Sequence, residues 1–324
     1  MKALQIIARG EALFVELPKP SPQPGQALIR PITLSLCASD IWQWQHAPDN
    51  DYPLPPGSSG HEIVGIIEEI NGDLPGFEVG DMTLAIHPAL LGMAEYFVSN
   101  FRDILPVPAG LPPEQIVQAQ QLGTVIYACK QLPNIVGQDV AVIGQGSAGL
   151  WWNAMLKRLG ARRVIGIDLQ AHRVKAGLKF GATHTIHNKS ADPVPAIKEI
   201  LNGRLPDLVI EAAGLNDSIN LAFEIVKQDG FVLQFGVPHD QSFIVDYYKQ
   251  FRKCITLKHI VGAASEPEHA STLEALHLIS SGEIDVAPVI THHFPFGQVL
   301  EAYELQRTRD EGAIKIIIKM PDKL

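Results

Sequence analysis

Two short stretches of this chain carry residue types that hold metal ions. Cys37-Ala38-Ser39-Asp40 follows an apolar, strand-like run, and Gly60-His61-Glu62 precedes another. Cysteine, histidine and glutamate are all competent zinc ligands, and three protein ligands with one open position define a catalytic site. Taken singly, a cysteine is more often a small buried hydrophobe and a histidine more often a satisfied polar residue. A third stretch, Gly144-Gln145-Gly146-Ser147-Ala148-Gly149, follows the apolar run 140–143 and opens a helix-like segment. Its first glycine permits a tight turn, its second lets backbone approach a pyrophosphate, and its third lets helix and strand pack closely. The helix start offers free N–H groups and a positive dipole end to a phosphate. Asp168 ends the next strand about 20 residues on, where a carboxylate accepts hydrogen bonds from an adenosine ribose and repels a 2′-phosphate. NAD is therefore expected over NADP, with Arg173 near enough to oppose that preference. The bland alternative is a βα turn that binds nothing, with Asp168 merely capping a helix. Strand, glycines, helix and acid in one order weigh against it.

These residues need elements to position them. Short apolar runs between Pro- and Gly-rich turns at 3–8, 12–17, 27–36, 61–70, 82–86, 94–99 and 104–107 read as strands of a small, irregular β domain. From Leu122 the texture changes. Strands at 140–143, 164–167, 183–186, 208–211 and 231–235 alternate with helices ending near 159, 180, 201 and 227. That alternation implies a doubly wound parallel sheet. A strand at 256–260, helices at 267–281 and 298–307 and a last apolar strand at 313–319 complete the chain, the end returning to the first domain. The expected division is 1–122 with 285–324 for the β domain, and 123–284 for the parallel-sheet domain. Trp151 and Trp152, just inside the helix after the glycines, read as core.

Bulk properties narrow the function. The 324 residues exceed one ordinary core and suit two domains. With 46% hydrophobic and 19% charged residues the chain is globular rather than disordered. A net charge of -9 gives no electrostatic reason to seek nucleic acid or anionic lipid. No apolar run reaches the length of a membrane span, and no basic-then-apolar leader opens the sequence. The three cysteines, Cys37, Cys129 and Cys254, are too far apart in sequence for a disulfide framework and fit a reducing compartment. The expectation is a cytoplasmic protein with a small-molecule substrate and neither nucleic-acid nor membrane partner.

The whole chain resembles the zinc-dependent medium-chain dehydrogenase/reductase superfamily, in its alcohol, polyol and threonine dehydrogenase branch. The stretches that carry the resemblance run in order from end to end: 36–40, 60–65 with Glu68, Val79-Gly80-Asp81, Ala94-Glu95-Tyr96, 144–149, 207–214, 235–238 and 290–295. It implies an α/β architecture, a GroES-like β domain interrupted by a Rossmann doubly wound parallel sheet. It implies Cys37 and His61 as zinc ligands and Glu62 as a direct or exchanging one. Asp40 would hold His61 from behind, and Ser39 would meet the substrate oxygen. Zinc would act as a Lewis acid on an alcohol or ketone while the nicotinamide carries the hydride. Thr124, Ala212, Gly236 and Val237 would join Gly144, Gly146, Ser147, Ala148, Gly149, Asp168 and Arg173 around the cofactor. Lys315 would meet a cofactor phosphate, or else be a solvated charge flanking the last strand. Family members pair through an edge strand, here 256–260, so a homodimer or homotetramer is implied.

The sequence also departs from that family. Counting back from Gly144, the fourth ligand position falls on Gln120, a weak ligand where Cys, Glu or Asp is usual. Trp42 stands where a histidine often relays the proton. Trp42, Tyr96 and Trp44 are candidates for the substrate mouth. The lobe of four closely spaced cysteines is missing, so one catalytic zinc and no structural zinc is expected, and Cys129 and Cys254 read as ordinary buried residues. His292 and His293, adjacent on a strand, point to opposite faces and read as structural. Two rival functions stay open: a zinc-free NAD(P)H enone or quinone reductase of the same superfamily, and a nucleotide-binding homologue without turnover.

Overall fold

The computed structural model describes residues 1–87, 89–260, 262 and 266–321. They group into two compact units, Met1–Gly123 with Glu266–Leu324, and Thr124–Ser265.

The first unit opens with an antiparallel pair, β1 (Lys2–Ala8) and β2 (Glu11–Glu16). Then come β3 (Gln26–Ser35), α1 (Ala38–His46), β4 (Ile63–Asn71), β5 (Met82–Ala85), β6 (Phe97–Asn100) and β7 (Ile104–Pro106). Two helices follow, α2 (Pro113–Ile116) and α3 (Gln118–Cys129). The sequence pattern did not announce α1, α2 or α3. In α1 the apolar residues are too few to mark a helical stripe; the helix is set by its start, where the Asp40 carboxylate reaches back to accept the Cys37 N–H at 2.7 Å.

The second unit is a six-stranded, all-parallel sheet built from β8 (Asp139–Ile143), β9 (Arg163–Asp168), β10 (His184–His187), β11 (Leu208–Glu211), β12 (Phe231–Gln234) and β13 (Thr256–His259). The spatial order β10-β9-β8-β11-β12-β13 is the Rossmann order. Helices α4 (Ser147–Arg158), α5 (Ala171–Lys179), α6 (Pro193–Ile200), α7 (Asn216–Ile225) and α8 (Tyr247–Lys253) connect the strands. Strands β8 and β11 are buried along their whole length, as both faces of a parallel sheet are covered. Trp151 and Trp152 are fully buried, as their sequence suggested.

The chain then returns to the first unit through α9 (Ala270–Ser280), β14 (Ile290–Pro295), α10 (Val299–Thr308) and β15 (Lys315–Lys319). Helix α9 joins this unit near Gly123, where an added Cβ would lie 2.7 Å from the Thr272 Cα. The main sheet of the first unit runs β14-β15-β3-β4-β5-β7, with β6 also on β3. Its register builds the site. Leu34 faces Ile63 across β3 and β4, and the Ser35 N–H donates to the Glu62 carbonyl at 3.1 Å. On the other side Ile317 faces Ser35, and the Leu36 N–H donates to Ile316 at 2.9 Å. Residues 37, 61, 62 and 315 are thereby gathered at one end of the sheet. Beneath them lies an apolar core that includes Leu34, Leu36, Ile41, Ile63, Met93, Tyr303 and Ile316.

Candidate functional site

Among the described residues, Cys37, His61 and Glu62 form a group whose ligand atoms all lie within 4.8 Å of one another. Cys37 caps the N-terminus of α1. Asp40, fully buried one turn on, accepts the Cys37 N–H at 2.7 Å and the Gly60 N–H at 2.9 Å, and its Oδ1 lies 3.4 Å from His61 Nδ1. One carboxylate therefore ties both ligand-bearing segments together. With Nδ1 held by Asp40, His61 keeps Nε2 for a ligand.

The electrostatics of the cluster follow from these contacts. Burial works against a charged His61, but Asp40 and Cys37 outweigh it and hold the imidazole pKa well above its ordinary value. Burial likewise opposes the Cys37 thiolate; His61, with help from Lys315, overcomes it and leaves the thiol below its usual range. Asp40, also buried, is kept below the usual carboxylate range by His61 and by the two backbone N–H groups. A low thiol suits a divalent metal, which takes the thiolate, whereas the raised imidazole has to release its proton to serve as a ligand.

The sequence reading missed one buried partner. Lys315 is not solvated. It is fully buried, with Nζ donating to Glu62 Oε1 at 2.9 Å and lying 2.7 Å from Oε2, the latter within ion-pair range only. The strand it opens is buried through its first four residues, so a lysine at its start lies inside. An isolated cation in so apolar a run was the available signal. Gln121, next to the Gln120 reached by counting, places its amide on the cluster, with Nε2 3.7 Å from the Cys37 sulfur. A one-residue difference in helix phase separates the two. The Ser39 hydroxyl is buried and has no hydrogen-bond partner among the described residues.

The aromatic candidates separate. Trp44 is buried in the core, edge-on to Tyr303 at 5.6 Å, and does not line a mouth. Tyr96 carries the Lys19 ammonium 4.1 Å above its ring, and Trp42 is half-buried. Cys129 is half-buried, its thiol pushed up to about 12 by burial, whereas Cys254 is exposed, contrary to expectation. It stands at φ 51° just past α8, a surface turn that its sequence neighbourhood does not mark. His293 pairs with Glu114 at the surface, away from His292.

In the second unit the glycine stretch forms a loop between β8 and α4, and each glycine has its own reason. Gly144 stands at φ +92°, with the Ala212 carbonyl carbon 3.1 Å from where a Cβ would be. A Cβ on Gly149 would lie 1.9 Å from the Gly144 oxygen. A Cβ on Gly146 would meet only the tip of Arg173, at 3.4 Å. The fold therefore demands the first and third glycines, while the second leaves backbone open to a ligand. Gly146 caps α4, whose first turn begins with Ser147 and Ala148. Asp168 accepts the Gln145 N–H at 2.7 Å and the Gln170 N–H at 2.8 Å, which fixes the carboxylate beside the loop. Each oxygen keeps a lone pair for a hydroxyl. Arg173 is buried. Ala212 adjoins Gly144, and Gly236 and Val237 close on Gly214 at the neighbouring strand ends. Thr124 is half-buried on α3. The loop residues and Asp168, Arg173, Ala212, Gly236 and Val237 thus share the carboxyl ends of the parallel strands, where nucleotides bind this sheet order.

Comparison with known proteins agrees with both halves. Residues 23–109 match the alcohol dehydrogenase GroES-like domain, and residues 148–290 match the zinc-binding dehydrogenase domain. An alcohol dehydrogenase of Cupriavidus necator is 25% identical over 98% of each chain. The sorbitol dehydrogenase of Gallus gallus is 25% identical over 98% of this chain and 96% of its own. The solved alcohol dehydrogenase of Thermus sp. ATN1 superposes with a TM-score of 0.83 at 24% identity, over 99% of this chain and 100% of that one, a likeness of fold.

Proposed function

We propose a reaction from one premise: the chain belongs to the zinc-type medium-chain dehydrogenases. It is an alcohol- or polyol-type oxidoreductase. The specific reading is interconversion of a secondary alcohol and its ketone, with NAD as hydride carrier and one zinc ion held by Cys37, His61 and Glu62. The observation that carries it is the convergence of these three donors within 4.8 Å of one another, over a carboxylate that orients the histidine. A zinc ion there supplies Lewis-acid polarisation of the substrate oxygen, and NAD accepts or returns the hydride.

The chain's own residues do the rest. Asp40 fixes the His61 tautomer and the start of α1. Lys315 neutralises Glu62, which makes that carboxylate an exchanging ligand rather than a permanent one. Gln121, by its amide, holds the Cys37 sulfur or fills the fourth side of the site. Ser39 offers a buried, unengaged hydroxyl to the substrate and takes its proton onward. Gly144, Gly146, Ser147, Ala148 and Gly149 cradle the pyrophosphate, and Asp168 takes the ribose hydroxyls, so NAD is preferred to NADP. Thr124, Ala212, Gly236 and Val237 complete the nucleotide groove. Trp42 and Tyr96 give the substrate an apolar surface.

The neutral Gln120, at the position where the resemblance implies a charged ligand, favours a second reading, a zinc-free reductase of enones or quinones. A homodimer or homotetramer is supported by the edge position of β13 and by the exposed Ile244, Tyr247, Tyr248 and Phe251 next to it in sequence. Among the described residues no helix is long and apolar enough to cross a membrane. With three free cysteines, that supports a cytoplasmic setting.

The test is a panel of secondary alcohols with NAD on zinc-loaded protein. Zinc-dependent growth of NADH absorbance, absent from Cys37→Ala, is expected. Zinc-loaded protein that reduces NAD with no alcohol, yet consumes NADPH with an enone, would replace this reading with the second.

A further inference from the structure

The residues just before His61 are held in an unusual way. Ser59 and Gly60 both stand at φ +74°, in the left-handed region. Glycine takes that conformation freely, while serine needs outside support to stay there. Gly60 has no room for a side chain, since a Cβ would lie 2.8 Å from the Met93 nitrogen. Ser59 has a specific support: its hydroxyl is hydrogen-bonded to the Tyr303 hydroxyl, with both residues fully buried. Tyr303 belongs to α10, 244 positions further along the chain. The same ring packs edge-on against Trp44 of α1, centroids 5.6 Å apart at 61°. Helix α1 starts from Cys37 and carries Asp40, and Asp40 accepts the Gly60 N–H. One side chain from the C-terminal segment therefore touches both segments that present the metal donors.

We infer that Tyr303 is a positioning residue for the metal centre: its hydroxyl locks the left-handed Ser59 turn that aims His61 and Glu62, and its ring seats the helix that carries Asp40 behind Cys37. This rests on the zinc reading of that cluster. Loss of the hydroxyl strands the Ser59 oxygen in the core, and the turn then relaxes toward conformations in which His61 and Cys37 no longer share a ligand.

Tyr303→Phe keeps the ring and deletes one oxygen. Its zinc dissociation constant, measured by chelator competition, is expected to rise about tenfold, the low end for residues that orient ligands. The visible absorption of the cobalt-substituted protein is expected to shift as the donor geometry loosens. Ser59→Gly removes the same hydrogen bond from the other side and suits the left-handed turn, so it does not threaten folding. It is expected to weaken zinc less than Tyr303→Phe does, and the double variant no more than Tyr303→Phe alone. Wild-type affinity and an unchanged cobalt spectrum in Tyr303→Phe would overturn the inference, as would losses that multiply in the double variant. Wild-type protein that binds no zinc would instead remove the zinc reading itself.

Discussion

The candidate metal cluster and the candidate phosphate loop solve opposite problems. The loop, residues 144–149, is one contiguous stretch that works through backbone and through the absence of side chains. The cluster draws on Cys37, His61, Glu62, Gln121 and Lys315, set by the register of β3, β4 and β15. Its strength lies in charges that are buried in compensating pairs. A diffuse phosphate charge is met by N–H groups at a helix start, whereas a point charge needs converging side chains. The loop should therefore be sensitive to added volume, and the cluster to a removed partner.

The sharpest test of the second half of that contrast is Lys315→Met. In chelator-stripped protein it leaves Glu62 buried and unpaired, and stability should fall by about 3–5 kcal/mol in a urea titration. Adding Glu62→Gln should recover most of it. A single variant as stable as wild type would break the compensation argument. The first half is tested by Gly149→Ala, whose Cβ would lie 1.9 Å from the Gly144 oxygen. A loss of about 3 kcal/mol is expected, while Gly146→Ala, which meets only the tip of Arg173, should cost under about 1 kcal/mol yet weaken NAD binding. Equal stability losses would erase the distinction between a glycine the fold needs and one the ligand needs.

Smaller effects refine the picture. Asp168→Ala removes an acceptor for two backbone N–H groups and for the ribose. NAD affinity by calorimetry should fall about tenfold, or about 1.4 kcal/mol, and the preference over NADP should narrow. An unchanged preference would assign selection elsewhere. The smallest concerns Asp207, at the far end of the parallel sheet from the loop. Partial burial opposes its charge, but Lys227 and the Asp139 N–H outweigh that and hold its pKa below the ordinary 3.8. A folded pKa below the unfolded one means stability that is present above the unfolded value and lost as pH falls through the folded one. Asp207→Asn should thus flatten the acid limb of the stability curve below about pH 4 and leave the limb above pH 6 parallel to wild type.

The same contrast explains what the sequence revealed. The loop was legible because its reasons are local: strand, glycines, helix and Asp168 come in fixed order. The alternating strands and helices between 140 and 235 were legible for the same reason. Cys37 and Gly60-His61-Glu62 were legible as donors, but their convergence depends on a β3–β4 register that no local pattern states. Lys315 was misread because its partner is 253 positions away. Gln121 was not named beside Gln120 because counting along the chain does not fix helix phase. Helices α1, α2, α3 and α8 were not seen; in α1 the apolar residues are too few to mark a stripe.

The most direct test of the account is zinc content by elemental analysis of wild type and Cys37→Ala, purified side by side without chelator. The account predicts about one zinc per chain in the wild type and its loss in the variant. Wild-type protein without zinc, or a Cys37→Ala variant that retains it in full, would contradict the assignment of this cluster as the metal centre.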